Sequence, residues 1–164
     1  MRPAFEDSNL WETFKEELIS WKGTPYRHLQ CAKGYGGDCT FFLADVFYHL
    51  GVLNRIDRPK YYPKNWFLHT KEDIIKDRLE LNFKTNTIEG FEWKYYKNGE
   101  EEIIKGDLLL FIIRPTITAV HHTGVYLGEN EMFHGTVRRT FDKVDYSKWS
   151  KYMNSFYRLY ESEK

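Results

Sequence analysis

From Ser8 to Trp21 the apolar residues fall at Leu10, Phe14, Leu18 and Trp21, with Trp11 widening the stripe. That spacing predicts a helix with one buried face. Ser8 is placed to cap its start, and Gly23 lies just past its end. The next stretch, "KGTPYRHLQCAKGYGG", is punctuated by Pro and Gly and reads as loop. A second helix is predicted from Asp38 to Leu50, with Phe42, Val46 and Leu50 on one stripe. Phe41, Leu43 and Phe47 fill the space around that stripe, so the helix is expected to be largely buried, with Gly51 as its stop.

Residues 54–105 are the least regular part of the chain. Lys71 to Leu81 has the pattern of a short helix. "GFEWKYYKNGEEEII" predicts a hairpin around Asn98-Gly99. After Gly106 the period shortens: "GDLLLFII", "AVHHTGVYLG", "EMFHGTVRR" and "SFYRLYE" read as strands separated by turn residues. Helices followed by an antiparallel sheet make an α+β fold, expected as one domain over 1–164.

Charge narrows the partners. Lys+Arg and Asp+Glu both number 24, so net charge is zero with histidine neutral. No electrostatic footprint for nucleic acid or an anionic membrane is present, and the pair Arg138-Arg139 is too small to supply one. No apolar run approaches a membrane span. The first residues, "MRPAFEDSNLWETFKEEL", carry early acids and no apolar core segment, so no secretory signal is expected and synthesis in the cytoplasm is. Cys31 and Cys39 are too few for a disulfide framework, and no CxxC pair suggests structural zinc. Aromatic residues make up 18%, enough to line a groove as well as fill a core.

Cys39 is the residue with candidate chemistry. It follows Gly34, Gly36 and Gly37 and stands at the predicted first turn of the second helix. A helix N-terminus favours thiolate over thiol, and glycines upstream would let a substrate backbone approach. The thiol needs a base. In "HHTGVYLG" strand alternation puts Thr123, Val125 and Leu127 toward the core and His122, Gly124 and Tyr126 on the other face. His122 is then the candidate base, with room left by Gly124, and His121 points the other way. A three-residue loop Gly128-Glu129-Asn130, with Asn130 left-handed, would pair Gly124 with His134 and make His134 the diagonal neighbour of His122. A two-residue loop would flip His134 to the opposite face. Cys39, His122 and His134 are thus candidates for nucleophile, base and orienting group, with the Cys39 N–H as an oxyanion donor.

In "WKGTPYRH", "GGDCTFFLADVFYHLGV", "GDLLLF", "HTGVYLGENEMFHG" and "FYRLY", in that order, the chain resembles the NlpC/P60 family of papain-like cysteine peptidases. The resemblance implies a catalytic helix packed on an antiparallel sheet. It implies hydrolysis of peptidoglycan stem peptides, typically between D-γ-glutamyl and a diamino acid, without a cofactor. It supports Cys39, His122 and His134 in the roles above, places Tyr26 beside the nucleophile, and gives Asp38 and Thr40 a part in binding substrate. Where the family has Asp-Cys-Ser-Gly, this chain has "DCTF", so Phe41 replaces a glycine. The segment 54–105 looks like an extended insertion, with Tyr61, Tyr62, Trp66 and Trp93 as candidate groove walls. Compact members without signal peptides resemble those encoded with phage tail genes, which makes tail proteins conceivable partners and lysis-dependent delivery a conceivable route to the wall.

Three other readings use the same residues. One is a papain-like amidase, acyltransferase or transglutaminase acting on non-wall substrates. Another is a non-catalytic binding or assembly protein of the same fold. The third has Cys39, His122 and His134 hold zinc, with a short ligand count and unusual spacing.

Overall fold

The computed structural model describes residues 1–163. Its elements run β1 (Arg2–Pro3), α1 (Ser8–Ile19), β2 (Cys31–Ala32), β3 (Gly36–Gly37), α2 (Phe41–His49) and α3 (Ile74–Asn86). There follow β4 (Phe91–Lys97), β5 (Leu108–Phe111), β6 (His122–Gly128), β7 (Glu131–Thr136), β8 (Arg139–Asp145) and β9 (Met153–Glu161). Helices come first and the strands of an antiparallel sheet after, as the pattern predicts.

Both early helices begin where a carboxylate closes the first turn. Asp7, not Ser8, caps α1: its Oδ1 accepts from the N–H groups of Asn9 and Leu10, each at 2.9 Å. Likewise α2 starts at Phe41 rather than Asp38, because Asp38 Oδ1 accepts from the N–H of Thr40 at 3.0 Å and from that of Phe41. Residues 38–40 are therefore the entrance to the helix and not part of it. Trp11, Phe14 and Leu18 of α1 and Phe42, Leu43, Val46 and Phe47 of α2 are buried. Phe14 stacks on Phe47 with ring centroids 5.3 Å apart, and Trp21 meets Phe42 edge-on at 5.6 Å. Each such ring or branched chain, fully buried, stabilises the fold by about 1.5–3 kcal/mol.

The sheet has the order β1-β9-β5-β6-β7-β8, with β4 also paired to β9. In β5 all four residues are buried, which is why "LLLF" lacks the alternation of a half-exposed strand. Leu108 and Leu110 join the core under the helices. Leu109 and Phe111 join a second core on the opposite face, with Met132, Tyr146, Met153 and Phe156.

The expected hairpin at Asn98-Gly99 does not form. Instead β4 pairs along its whole length with β9, from Phe91↔Glu161 to Lys97↔Ser155. Its aromatic side chains find partners there: Tyr95 meets Tyr157 at 5.2 Å and Tyr96 stacks on Phe156 at 5.2 Å. The three acids of "EEE" have no comparable rings to offer. The predicted short helix at Lys71–Leu81 is longer and later, running Ile74–Asn86.

The β6–β7 turn differs from the expectation in a compensating way. Gly128 pairs with Glu131, so the loop is the two residues Glu129 and Asn130, with φ of 50° and 60°. Such a loop alone would flip His134. A register shift between Tyr126 and Gly128 absorbs Leu127 as an extra residue, and beyond it Tyr126 pairs with Met132 and Val125 with Phe133. The bulge restores the parity, so Gly124 faces His134: a Cβ on Gly124 would lie 3.6 Å from that of His134.

One buried ion pair fastens β9 to the turn before β5. Arg158 Nε donates to Asp107 Oδ1 at 2.9 Å, and Nη2 donates to Asp107 Oδ2 at 2.8 Å and to the Glu102 carbonyl at 2.7 Å. Removing one partner strands the other's charge. Asp107→Ala is expected to lower stability by about 3–5 kcal/mol, measured by urea unfolding; a loss under ~1 kcal/mol would mean the pair is solvated in solution.

Candidate active site

Cys39 lies between the entrance of α2 and the sheet. Thr123 on β6 donates its hydroxyl to the Cys39 carbonyl, which ties the nucleophile's backbone to the strand that carries His122. Tyr26 bridges to Gly37, and its hydroxyl lies 4.0 Å from Cys39 Sγ. Thr40 Oγ1 is 3.6 Å from the same sulfur. His122 Nε2 and His134 Nδ1 are 2.7 Å apart and share a hydrogen bond. The indole of Trp149 covers both rings, with centroids 5.5 Å from His122 and 4.7 Å from His134. Cys39, His122 and His134 are 4%, 6% and 4% exposed, yet all three line one open cleft of about 1290 Å³ with Tyr26 and Asp38.

A base role for His122 requires one tautomer. For His122 to take a proton at Nδ1 while neutral, its Nε2–H must donate to the Nδ1 lone pair of His134. His134 must then stay neutral, and burial lowers its pKa from the ordinary 6.5 to about 4. Burial also pushes His122 well below its ordinary value, helped by His134 and His121. At rest the site therefore holds neutral imidazoles. The Cys39 thiol is likewise raised, first by burial and then by the Asp38 charge. The expectation that the helix start favours thiolate is corrected here: Asp38 already occupies the first N–H groups of α2 and sets a negative charge beside the sulfur. Among the described residues, the thiol's side-chain hydrogen-bond partners are Tyr26 and Thr40, the Thr123 backbone also engages the sulfur, and His122 is not among them. Cys39 N–H has no partner among them.

The neutral burial of His134 has a pH consequence. Its native pKa lies below its unfolded one, so its contribution to stability is present above about 6.5 and lost as pH falls toward about 4. Buried carboxylates shift in the opposite sense, so the difference between wild type and His134→Gln isolates the imidazole. Thermal melts should show that difference shrinking across this window; a flat difference would mean the ring is not held neutral in a dry site.

The other sequence candidates are placed as follows. Gly36 and Gly37 are set by packing rather than by a path for substrate, and Gly34 takes φ of 84°. Gly36 and Gly37 form β3, and a Cβ on Gly37 would come within 2.8 Å of the Trp21 ring. Gly37 is small so that the loop can pack on Trp21, and a Cβ on Gly36 would run into the Gln30 and Arg27 side chains. Asp38 lines the cleft, but its oxygens accept from three backbone N–H groups, Leu29 at 2.9 Å as well as those of Thr40 and Phe41. Thr40 does not line the cleft; it faces a second cavity behind α2. His121 does line the cleft, but Nε2 accepts from the Ile113 N–H at 3.3 Å and Nδ1 donates to the Ala119 carbonyl at 3.0 Å. Of the expected groove walls, Tyr62 and Trp66 line the cleft, Tyr61 is 80% exposed, and Trp93 is packed between Phe83 and Phe47. Trp149, the cover of the histidine pair, was not singled out by any periodicity; it sits between two 3-10 turns.

The zinc reading fares poorly on geometry. Zinc ligated at about 2.0–2.1 Å by two imidazole nitrogens would hold them farther apart than a hydrogen bond does, and here the two are turned onto each other. Among the described residues, the trio whose donor atoms cluster within 4.8 Å is Glu17, Asp45 and His49, with the two carboxylates half-buried between α1 and α2.

Comparison with known proteins follows the same lines. The model of the NlpC/P60 family matches residues 23–158. No curated protein matches the chain at a significant level. Among solved structures, a lipoprotein-like NLP/P60 family protein of Staphylococcus aureus is 18% identical with a TM-score of 0.52, over 92% of this chain and 41% of its own. The NlpC/p60 domain of the peptidoglycan hydrolase SagA is 14% identical with a TM-score of 0.51, over 90% of this chain and 96% of its own. NlpC2 of Trichomonas vaginalis is 15% identical with a TM-score of 0.57, over 94% of this chain and 47% of its own. The chain thus spans less than half the length of the first and third of these structures, and at these identities the likeness is one of fold. With the family model covering all but the ends, the chain belongs to the NlpC/P60 family.

Proposed function

We propose that the protein is a cysteine peptidase that hydrolyses amide bonds of peptidoglycan stem peptides, between D-γ-glutamyl and a diamino acid. The observation that carries this reading is the 2.7 Å bond between His122 Nε2 and His134 Nδ1 in the cleft that Cys39 lines. It leaves Nδ1 of His122 to serve the thiol. Cys39 Sγ–H gives its proton to that nitrogen as the thiolate attacks the scissile carbonyl carbon. The oxyanion takes a hydrogen bond from the unpartnered Cys39 N–H. The imidazolium returns the proton to the leaving amine, and a thioester remains. Water, deprotonated by His122, releases the acyl group and restores the thiol. Because the resting pair is neutral, substrate that fills the cleft need not displace a solvated ion pair.

The charge around the cleft favours an anionic substrate. Lys64, Arg114, Arg138, Arg139 and Lys148 line it against Asp38 and Asp145. Stem peptides carry carboxylates, and two arginines at the β7–β8 turn can meet them. Arg138→Glu with Arg139→Glu is expected to raise KM about tenfold with kcat nearly kept; unchanged KM would remove these residues from substrate capture.

The test of the reading is digestion of defined muropeptides with mass spectrometry of the products. Cleavage after D-γ-glutamyl supports it. Turnover of simple acyl donors with every muropeptide left intact would replace it with an amidase or acyltransferase on other substrates.

A further inference from the structure

The second cavity has no part in the chemistry above. It encloses about 460 Å³ behind α2, between that helix, α3 and the segment that follows α2. Tyr62 and Ile75 line both cavities and form the partition between them. Its volume is that of a small-ligand site, about 300–1,000 Å³.

The lining divides by polarity. Leu43, Phe47, Leu53, Leu79 and Leu108 are buried apolar residues. Phe41, the residue that stands where the family has glycine, adds a ring to the same wall. The charged residues of the lining are Arg55, Arg58, Lys60 and Arg78 against Asp57 alone. Arg55, Arg58 and Lys60 are exposed, so the charge stands at the solvent edge of an apolar interior. Arg55 is paired with Asp57 at 2.8 Å, and Arg78 lies 4.8 Å from the Tyr62 ring centroid. Among the described residues, no ion pair engages Arg58 or Lys60.

An apolar interior with an uncompensated cationic rim complements one kind of molecule. We propose that this cavity binds a single-chain amphiphile with an anionic head, its hydrocarbon between α2 and α3 and its head at Arg58 and Lys60. Burial of methylenes supplies affinity, and the cations select the head. A neutral or cationic amphiphile of the same length lacks the second term.

Calorimetric titration with dodecanoate below its micellar concentration tests this. Saturable binding at one site is expected. Arg58→Glu with Lys60→Glu, both on exposed side chains, should weaken it at least about tenfold, and dodecanol should bind more weakly than dodecanoate by a similar factor. Ala44→Phe, which fills the cavity from α2, should abolish binding. The proposal is overturned by the absence of saturable binding, by equal affinity for dodecanol, or by a double charge variant that binds dodecanoate as the wild type does.

Discussion

Cys39→Ala is expected to abolish hydrolysis of every substrate the wild type cuts, a loss of at least about 10⁴-fold in kcat/KM. The fold should survive. The sulfur's side-chain contacts are long, 4.0 Å to Tyr26 and 3.6 Å to Thr40, and the backbone is held independently through the Thr123 hydroxyl on the Cys39 carbonyl. Removing one buried sulfur should lower stability by about 1 kcal/mol. Parallel activity assays and denaturant melts separate the two effects. Full activity in the variant would end the covalent mechanism. A large loss of stability would mean that the sulfur is a packing element of the α2 entrance.

The histidines should divide by role. In the proposed mechanism His122 takes the thiol proton, so the loss in His122→Ala should match that of Cys39→Ala. His134 acts through His122. In the proposed mechanism its Nδ1, 2.7 Å from His122 Nε2, accepts from Nε2–H, which would hold the tautomer and, once the imidazolium forms, stabilise the charge. His134→Ala should lower kcat by about 10²-fold with KM little changed, and His134→Asn, which keeps an acceptor, should recover much of it. Steady-state kinetics of the three variants checks this. Equal loss in His134→Ala and His134→Asn would point to a purely packing role beneath Trp149.

How far the site could be read beforehand depends on which forces set each part. His122 was legible because β6 alternates cleanly: Val125 and Leu127 pack under the helices, and Tyr126 packs in the opposite core. Thr123 carried a further signal, a hydroxyl in the core-facing set, whose partner is the Cys39 carbonyl. The parity of His134 could not be read with equal security. Glu129 adopts φ of 50°, a region that glutamate seldom visits, and the bulge at Leu127 offsets the short loop. The cap of α1 was missed by one residue because Asp7 and Ser8 are adjacent and both cap well. Trp149 lies where neither helical nor strand period applies, so only its contacts identify it. Arg138 and Arg139 looked too few to matter by count alone; the β7–β8 turn brings them beside Arg114, Lys64 and Lys148 from distant parts of the chain.

The central claim is that the Cys39 thiol, deprotonated by His122, is the attacking group. Alkylation by iodoacetamide near neutral pH, with mass mapping of the modified cysteine and residual activity followed together, tests it most directly. The account predicts one adduct per chain on Cys39, activity lost in proportion, Cys31 left largely unmodified beside its raised pKa of about 12, and labelling at least about tenfold slower in His122→Ala. Hydrolysis that persists after Cys39 is fully alkylated, or labelling that is indifferent to the loss of His122, would contradict it.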